Sequence, residues 1–522
     1  MSASPAAGLL GGSSGDSAAS ELGVVRMYSQ CDRYDALAVN TPSSAPPRRC
    51  HRAMPAGAQL TSRLATEGIY TARVCFGSPT VPFDLVVDTG SFLTTVPCTW
   101  CSHCGRHLGG TGRQYDPSRS ATLQLSECRP GVQLATIANS TSARHRACRA
   151  FETSYAESSA YHGLLVSDLT YAAPANGGGV VKSMRARFGC ITHETGMLYA
   201  QQADGLLGLA QMSGSGRPSI LDALTDPQLP QQQRRSKNFS LPQQQPAPQR
   251  RGRAYKSFSF CLSEGGGRLL LGGTATSGRL AARGAIVVPL LRSANSIGYR
   301  VPLHELRVEQ QLGSKVVDPA AEHSRTFVQL RPAAPAAAAA AATGNGSRYR
   351  HRSGCLIDSG STRMKLPSPM FAAVLGVLRR RVGAVGRLEL AASGSSSACA
   401  YLTNATLDAL PRLALYLGEA TRPLVIAPQQ YMMHKPLVLR TSVLHSVARF
   451  AWRGGSPPAA SHRMCSAIDD AGSASDIVLG AAALRNTEVV ITDDESVAFA
   501  SEVDCDRAVE PPILVGSVSL TC

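Results

Sequence analysis

The sequence lacks the features that mark a membrane protein or a nucleic-acid-binding protein. Residues 1–30 have neither the basic start nor the apolar core of a signal peptide. The apolar run Ile513–Val515 is far too short to span a bilayer. No aromatic platform or nucleic-acid-reading motif accompanies the basic residues. We therefore expect no nucleic-acid partner. We also expect the sequence to be truncated at its ends, so that any membrane anchor would lie in a segment absent from it.

Composition favours a globular protein with two lobes. Hydrophobic residues make up 43% of the 522 residues, which is typical of a folded chain, and this length is sufficient for two lobes with separate cores. The net charge of +16 includes Arg clusters in the low-complexity stretches 233–235 and 250–253, so the charge alone predicts no specific partner. None of the 12 His residues falls in a convincing metal motif, and we expect no metal or other cofactor.

Two short segments of the same form carry most of the functional information, Asp88-Thr89-Gly90-Ser91 and Asp358-Ser359-Gly360-Ser361. Each follows a short apolar run, which predicts a β-strand that ends in a tight turn. The glycine permits the turn, and the Thr or Ser hydroxyl can fix it by a hydrogen bond. A single Asp-x-Gly turn is common. Two of them suggest an internal duplication that brings two carboxyl groups together.

Two adjacent carboxyl groups can hydrolyse an amide bond. Because both cannot ionise comfortably, they share one proton and titrate as a unit. The ionised carboxylate accepts a proton from water, and the protonated carboxyl donates to the carbonyl oxygen of the substrate. Asp88 and Asp358 are therefore the candidate catalytic pair, and this chemistry requires no cofactor.

The order of motifs around these turns resembles that of the pepsin-like aspartic proteases, over most of residues 61–505. That family has a hydrophobic-hydrophobic-Gly segment after each catalytic turn, and this chain has Leu206-Leu207-Gly208 and Val478-Leu479-Gly480. The region between the lobes of the family is similar to Phe258–Ser263 followed by Gly267–Gly273. The resemblance implies a mainly β, bilobal fold with the active site in the cleft between two β-rich lobes.

Composition and patterning, together with this resemblance, predict the organisation of the chain. Residues 1–60 would be a disordered or pro-segment-like region, followed by the lobes 61–275 and 276–505 and a tail, 506–522. The first lobe would contain a Cys-rich insert (98–148), a flap (about 151–168) and a low-complexity insert (about 226–256). The second lobe would contain an insert at about 313–350 and a helix over 370–382. The stretch between the two Asp-x-Gly turns is longer than a compact pepsin-like protein needs, and the inserts account for the excess.

The 15 Cys residues favour disulfides and an oxidising compartment. The odd count leaves at least one Cys unpaired or paired between chains. Cys98, Cys101 and Cys104 could instead bind a metal with Cys128 and Cys148. A disulfide-stapled loop is the preferred interpretation, because the segment is similar to the nepenthesin-type insert of plant and apicomplexan aspartic proteases. Four sequons are compatible with glycosylation, at Asn139, Asn238, Asn345 and Asn404.

The segment around Tyr155 lies where the family has its flap, a hairpin that closes over bound peptide. The resemblance implies that Tyr155 packs on the substrate and helps to orient the hydrogen bonds of the active site. An ordinary hairpin with a surface Tyr is the alternative interpretation. The plasmepsin V-like proteases, which this segment resembles, usually have Gly where this chain has Ser158, which leaves the geometry of the flap tip open.

Glu157 is the candidate for substrate selection. A carboxylate at the flap tip would favour a basic substrate side chain through a charge-assisted bidentate bond. A Glu occurs two residues after the flap Tyr in the plasmepsin V-like proteases of apicomplexan parasites, which cleave exported proteins after a motif that begins with Arg. In that subgroup a Gln helps to hold the Arg, and both Gln201 and Gln202 are candidates here. A solvated surface charge is the alternative for Glu157.

These patterns together predict an aspartic endopeptidase. The expected form is a monomeric, selective processing protease of the secretory pathway, in the lumen of the endoplasmic reticulum or Golgi. Its polypeptide substrates would be exported or effector proteins with Arg upstream of the scissile bond. One alternative is a broad-specificity degradative protease of the vacuolar type. Another is a non-catalytic pepsin-like binding protein, although both Asp-x-Gly turns are intact.

Overall fold

The computed structural model describes residues 58–64, 68–125, 128, 148–155, 157–174, 182–210, 220–221, 257–272, 276–291, 297–311, 324–331, 354–385, 387–388, 399–434, 461–474, 476–501, 503–506 and 518–520. Of the predicted N-terminal region only residues 58–60 are described, and the predicted low-complexity insert at about 226–256 lies outside these ranges.

The strands of the described residues are, in chain order, β1 Ala58–Arg63, β2 Ile69–Phe76, β3 Val81–Asp88, β4 Thr95–Pro97, β5 Ala150–Ser154, β6 Ala160–Pro174, β7 Lys182–Glu194, β8 Gly205–Gly208, β9 Phe258–Leu262, β10 Gly266–Leu271, β11 Ile286–Pro289, β12 Tyr299–Gln311, β13 Ser324–Leu330, β14 Gly354–Ile357, β15 Met364–Leu366, β16 Arg387–Leu388, β17 Cys399–Leu402, β18 Arg412–Leu417, β19 Leu424–Ile426, β20 Met432–His434, β21 His462–Ser466, β22 Ile468–Asp470, β23 Ile477–Leu479, β24 Thr487–Ile491, β25 Ser496–Ser501 and β26 Val518–Leu520. The helices are α1 Gly196–Ala200, α2 Ser277–Ala282, α3 Ser368–Val385, α4 Asn404–Asp408 and α5 Pro428–Tyr431.

Within the described residues the strands form three sheets of 14, 8 and 4 strands. The largest has the order β1-β2-β3-β8-β4-β7-β6-β26-β10-β9-β24-β25-β11, with β5 paired to β6. The second has the order β19-β18-β12-β14-β23-β15-β22, with β13 paired to β12, and the third has the order β16-β17-β21-β20. The prediction of a mainly β fold is confirmed. Strands β11, β24 and β25 of the second half extend the sheet of the first half.

The three residues directly before each Asp-x-Gly turn are apolar, as expected where neighbouring strands and side chains cover both faces of a strand. β3 pairs in parallel with β8, and β14 pairs in parallel with β23. Leu85, Val87 and Ile357 are fully buried in one core cluster that also contains Phe258 and Tyr299. The core therefore spans both halves and holds the ends of β3 and β14 rigidly.

A repeated hydrogen bond supports the predicted internal duplication. Asp204, immediately before β8, accepts a bond from the backbone N–H of Asp84 at 2.7 Å. Asp476, immediately before β23, accepts one from the backbone N–H of Gly354 at 2.9 Å. Asp84 and Gly354 each lie four residues before the aspartate of an Asp-x-Gly turn. The two halves thus build their turns on the same strand pair and the same carboxylate bond.

Helix α3 confirms the helix predicted over 370–382 and extends it at both ends. Pro369 occupies its first turn, where a missing N–H has no cost. Met370, Val374 and Leu378 are buried, as expected for one apolar face of a helix. Within the described residues, no helix is both long and apolar enough to cross a membrane.

Two strands lie in segments that were predicted as an insert and a tail. β13 lies within the predicted insert at about 313–350 and pairs with β12. β26 lies within the predicted tail and pairs with β6 and β10.

The cysteines of the Cys-rich insert form disulfides, so their sulfur atoms are not metal ligands. The pairs of the described residues are Cys98–Cys190, Cys101–Cys104, Cys128–Cys148, Cys261–Cys505 and Cys399–Cys465. Cys355 on β14 is free and buried, in agreement with the odd Cys count. Such a set of disulfides is typical of an oxidising compartment.

Candidate active site

The two Asp-x-Gly turns meet face to face. Asp88 is the last residue of β3, and Asp358 directly follows β14. A Cβ atom added to Gly360 would lie 2.4 Å from Oδ1 of Asp88, and one added to Gly90 would lie 2.8 Å from Oδ1 of Asp358. Only glycine allows this approach. The carboxyl groups of Asp88 and Asp358 are within hydrogen-bonding reach of each other, as the sequence predicted.

The turns are also tied to each other behind the carboxyl groups. The backbone N–H of Thr89 donates to Ser359 Oγ at 3.1 Å, and the backbone N–H of Ser359 donates to Thr89 Oγ1 at 3.0 Å. The two hydroxyl groups then donate across the site, Thr89 to the carbonyl of Ile357 at 2.8 Å and Ser359 to the carbonyl of Val87 at 2.7 Å. All these side chains are buried, so the turns form one rigid unit.

Each carboxyl group is held by its own turn. Oδ1 of Asp88 accepts from the backbone N–H of Gly90 at 2.8 Å, and Oδ2 accepts from Ser91 Oγ at 2.5 Å. In the second turn the corresponding donors are Gly360 N at 3.0 Å and Ser361 Oγ at 2.7 Å. Every residue of the two predicted turns thus has a role in placing a carboxyl group or in joining the turns.

The electrostatics of the site favour a shared proton. Asp88 is 5% exposed. Burial, and next the neighbouring charge of Asp358, raise the pKa of Asp88 to about 7, against the opposing hydrogen bonds from Ser91 and Gly90. The pair therefore retains a proton up to near-neutral pH. One carboxyl group can then donate to a carbonyl oxygen while the other accepts a proton from water.

The predicted flap is a hairpin of β5 and β6 whose tyrosine reaches the catalytic pair. At its tip, the backbone N–H of Tyr155 donates to the carbonyl of Ser159 at 2.9 Å, and that of Ser158 donates to the carbonyl of Tyr155 at 3.0 Å. Ser158 has φ +69°, the left-handed conformation that favours Gly. Ser158 therefore has the left-handed backbone conformation that a Gly at this position would adopt without strain. The hydroxyl of Tyr155 lies 3.0 Å from Ser91 Oγ.

Tyr161 is a residue of the site that the sequence analysis missed. Its hydroxyl lies 2.7 Å from that of Tyr155, and its side chain is 1% exposed. A hydrogen-bonded chain therefore runs from Asp88 through Ser91 and Tyr155 to Tyr161. The available signal was an aromatic residue at the start of the second flap strand, because a buried Tyr hydroxyl needs a partner.

Glu157 projects from the exposed tip of the flap. It makes no hydrogen bond or ion pair with another described residue. Gln201 follows α1 and is half-buried, and Gln202 is exposed. Because the backbone N–H of Met197 in α1 donates to Ser159 Oγ at 2.9 Å, α1, which directly precedes the Gln pair, lies beside the tip of the flap.

Within the residues that the structure describes, no group of His, Cys, Asp and Glu side chains has the arrangement of a metal site.

Comparisons with known proteins agree with this geometry. A family model described as "Xylanase inhibitor N-terminal" matches residues 70–226. Aspartic protease 5 of Toxoplasma gondii is 29% identical over 229 residues, which are 41% of this chain and 20% of that protein. Plasmepsin V of Plasmodium falciparum is 27% identical over 207 residues, 39% of this chain and 29% of that protein.

A plant protein matches over a longer stretch. Aspartic proteinase 36 of Arabidopsis thaliana is 22% identical over 459 residues, 86% of this chain and 77% of that protein. The first two relatives are matched over less than a third of their own length, so this chain spans only part of what those proteins contain.

Proposed function

We propose that the chain is an aspartic endopeptidase of the pepsin-like type, because its site has two paired carboxyl groups and parts of the chain are similar to Aspartic protease 5 and Plasmepsin V. The observation that carries the proposal is the contact between Asp88 and Asp358, with the pKa of Asp88 raised to about 7. Water held between the carboxyl groups would attack the scissile carbonyl without a covalent intermediate. The pair acts as a unit, and Tyr155 closes the flap over the bound peptide.

We further propose that the enzyme is a selective processing protease that recognises Arg upstream of the scissile bond. Support comes from the exposed carboxylate of Glu157 at the flap tip, which has no hydrogen-bond or ion-pair partner among the described residues, and from the position of Gln201 and Gln202 directly after α1, which contacts the flap tip. A guanidinium group could form a bidentate bond with Glu157. The disulfides and the relatives are compatible with a monomer in the lumen of the secretory pathway, acting on exported or effector proteins.

A non-catalytic binding protein is the second candidate, because the matching family model carries the name of an inhibitor. The retention of both carboxyl groups, with their full set of hydrogen bonds, favours the enzyme. A broad degradative protease would share the same catalytic pair and would differ only in its choice of substrate.

The test is cleavage of two peptides that differ at one position, Arg or Ala three residues before the scissile bond. We expect the wild-type protein to prefer the Arg peptide and Glu157→Gln to lose about tenfold or more of that preference, because a charge-assisted bond is lost. Glu152→Gln, an exposed change on the same hairpin, is the matched control and should retain the preference.

Three other results of this cleavage test would each contradict a different part of the proposal. Equal cleavage of both peptides by the wild type would indicate a degradative protease. An unchanged preference in Glu157→Gln would remove Glu157 from the recognition of Arg. Failure of the folded protein to cleave either peptide would favour the non-catalytic candidate.

A further inference from the structure

The disulfide Cys101–Cys104 differs from the other disulfides of the described residues in its ring size and its access to solvent. It joins cysteines three positions apart, whereas the other pairs are separated by 20 to 244 residues. Each of those other pairs contains at least one buried cysteine, but Cys101 and Cys104 are both only half-buried. Of these pairs it is therefore the one that a reductant in solvent reaches most easily, and its reduction opens only a small ring.

The residues of this ring, 101–104, here called the clip, are bonded to the end of β7. The backbone N–H of Ser102 donates to the carbonyl of Thr192 at 3.1 Å, and the backbone N–H of Glu194 donates to the carbonyl of His103 at 2.8 Å. Nδ1 of His103 lies 2.8 Å from the carbonyl oxygen of Glu194, so this nitrogen carries a proton. Both central residues of the clip are thus fixed to the last residues of β7 by hydrogen bonds.

Aromatic rings extend this contact to helix α1. The ring of His103 stacks on that of His193 in β7 and on that of Tyr199 in α1, with 4.8 and 4.5 Å between the ring centroids. Gly105 directly follows the clip, and a Cβ atom added to it would lie 2.1 Å from the carbonyl oxygen of Tyr199. Only glycine allows this approach. The clip therefore holds the end of β7 and helix α1 together.

The chain between β7 and α1 supports the tip of the flap. The backbone N–H of Thr195 donates to the carbonyl of Ala160 at 2.8 Å, and Thr195 Oγ1 accepts from the backbone N–H of Ala160 at 3.0 Å. The backbone N–H of Met197 donates to Ser159 Oγ at 2.9 Å. The carbonyl of Ser159 in turn accepts from the backbone N–H of Tyr155. A continuous series of contacts thus runs from the clip through β7 and α1 to the flap tyrosine.

From this arrangement we infer that Cys101–Cys104 is a thiol–disulfide exchange site, whose reaction partner is a dithiol and whose reduction releases the support of the flap tip. The effect on peptide cleavage rests on the proposed function, but the exchange reaction itself does not. It adds a modification site to the Cys-rich insert and leaves the catalytic pair unchanged.

The reaction balances between the dithiol and the cysteine pair. A thiolate of the dithiol attacks one sulfur of the pair, which forms a mixed disulfide and releases the other cysteine as a thiolate that takes up a proton. The second thiol of the dithiol then displaces the remaining cysteine. Two electrons and two protons pass to the pair, which becomes two thiols, and the dithiol becomes an intramolecular disulfide.

Reduction of this pair has a local effect. It removes the covalent bond that closes the clip and leaves hydrogen bonds and ring contacts, each of which is weak. Opening of the clip and of the end of β7 then becomes more frequent. Cys98 and Cys190 are fully buried and stay bonded, so β7 remains joined to the chain that follows β4. The flap tip therefore loses its support while the sheet stays folded.

The first experiment identifies the disulfide that reacts. Folded wild-type protein is incubated with increasing concentrations of dithiothreitol and then alkylated, and its peptides are analysed by mass spectrometry. We expect Cys101 and Cys104 to be alkylated at about tenfold lower dithiothreitol than the other described pairs. Alkylation of all pairs at the same concentration, or of Cys101 and Cys104 after the others, would overturn the inference.

Hydrogen exchange measures the support of the flap tip. The double variant Cys101→Ser, Cys104→Ser cannot form the disulfide. We expect amide exchange in peptides covering 155–161 and 192–200 to be about tenfold faster in this variant than in the oxidised wild type. Unchanged exchange in both peptides would overturn the inference. If the variant does not fold, wild-type protein that is reduced and alkylated only at Cys101 and Cys104 takes its place.

The double variant Cys399→Ser, Cys465→Ser is the matched control for this measurement. It removes another disulfide with one half-buried cysteine, between β17 and β21 of the third sheet. Exchange in the two flap-region peptides should remain at the wild-type rate. Faster exchange there in the control would mean that loss of any disulfide loosens the flap, which contradicts the specific role of the clip.

Cleavage of the Arg peptide links the exchange site to activity. Reduction of Cys101–Cys104 should lower kcat/KM of the wild type by about fivefold, because the flap is positioned less well, and reoxidation with oxidised glutathione should restore it. The Cys101→Ser, Cys104→Ser variant should have the lower value with or without dithiothreitol. A value that is unchanged by reduction of the wild type, or a variant that still responds to dithiothreitol, would overturn the link.

The failure of this inference and that of the proposed function are distinguishable. A wild-type protein that cleaves neither peptide contradicts the proposed function. Alkylation and hydrogen exchange on the same samples then still decide whether Cys101–Cys104 is the reactive disulfide and whether it supports the flap tip, because neither measurement depends on cleavage.

Discussion

Thr89 and Ser359 exchange hydrogen bonds between the two Asp-x-Gly turns. The backbone N–H of each donates to the side-chain oxygen of the other, at 3.1 Å from Thr89 and 3.0 Å from Ser359. Both side chains are fully buried. The distance between the carboxyl groups of Asp88 and Asp358 is thus set by direct bonds between the turns as well as by the strands that lead to them.

Thr89→Val tests this reciprocal bond with a side chain of nearly the same shape. The change leaves the N–H of Ser359 and the carbonyl of Ile357 buried without their partner. We expect the free energy of unfolding to fall by about 2–4 kcal/mol and kcat to fall by more than about tenfold, because the turns are no longer fixed to each other. Thr89→Ser keeps the hydroxyl and should stay within about 1 kcal/mol of the wild type. Wild-type kcat in Thr89→Val would show that the bond does not position the pair.

The raised pKa of Asp88 predicts a specific dependence of stability on pH. The pKa rises from the ordinary value of 3.8 to about 7 in the folded protein. The folded state therefore binds this proton more tightly, and the resulting stabilisation is complete below about pH 4 and is lost as the pH rises to about 7.

Asp88→Asn removes this titration. Relative to the wild type, the free energy of unfolding of the variant should increase between about pH 4 and 7 by up to ~4 kcal/mol and stay level above that range. Urea unfolding of both proteins across this pH range measures the difference. A difference that is independent of pH would mean that Asp88 titrates at its ordinary pKa.

Tyr161→Phe tests the hydrogen bond that holds the flap tyrosine. Loss of a neutral bond of about 1 kcal/mol should lower kcat/KM by roughly fivefold. Tyr155→Phe should lower kcat/KM further than Tyr161→Phe does, because it also loses the hydrogen bond to Ser91. When Tyr161→Phe is added to Tyr155→Phe, kcat/KM should fall no further, because the hydroxyl group that Tyr161 contacts is already absent. Additive losses in the double variant would show that the two tyrosines act independently.

Local pattern was sufficient to predict that the carboxyl groups of Asp88 and Asp358 lie together. An apolar strand that ends in Asp-x-Gly specifies a turn with a carboxylate, and its repetition in the second half implies that the two turns meet. The same repetition appears in the bonds of Asp204 and Asp476 to backbone groups of the preceding strands. The helix over 370–382 was also predictable, because its apolar positions follow the helical period and a proline marks its start.

The contacts that surround the pair could not be predicted in this way. Cys98 pairs with Cys190, 92 residues away, and His107 pairs with Glu194, 87 residues away. No spacing rule connects such residues, because sheet topology brings them together. Tyr161 was missed for a related reason, since its role depends on how the hairpin folds over Ser91. The type of each residue indicated what it could do, but the sequence did not indicate which residue it would contact.

Hydrolysis by the Asp88–Asp358 pair is tested most directly by the cleavage rate of the Arg peptide with the wild-type protein and with Asp358→Asn, at about pH 5.5, where the pair holds one proton. Asn has the same shape, its Oδ1 can accept from the backbone N–H of Gly360, and its Nδ2 can donate to Ser361 Oγ, so the variant should fold. We expect cleavage by the wild type and a loss of about 10³-fold or more in the variant. A variant that retains the wild-type rate would contradict the assignment of these two residues as the catalytic pair.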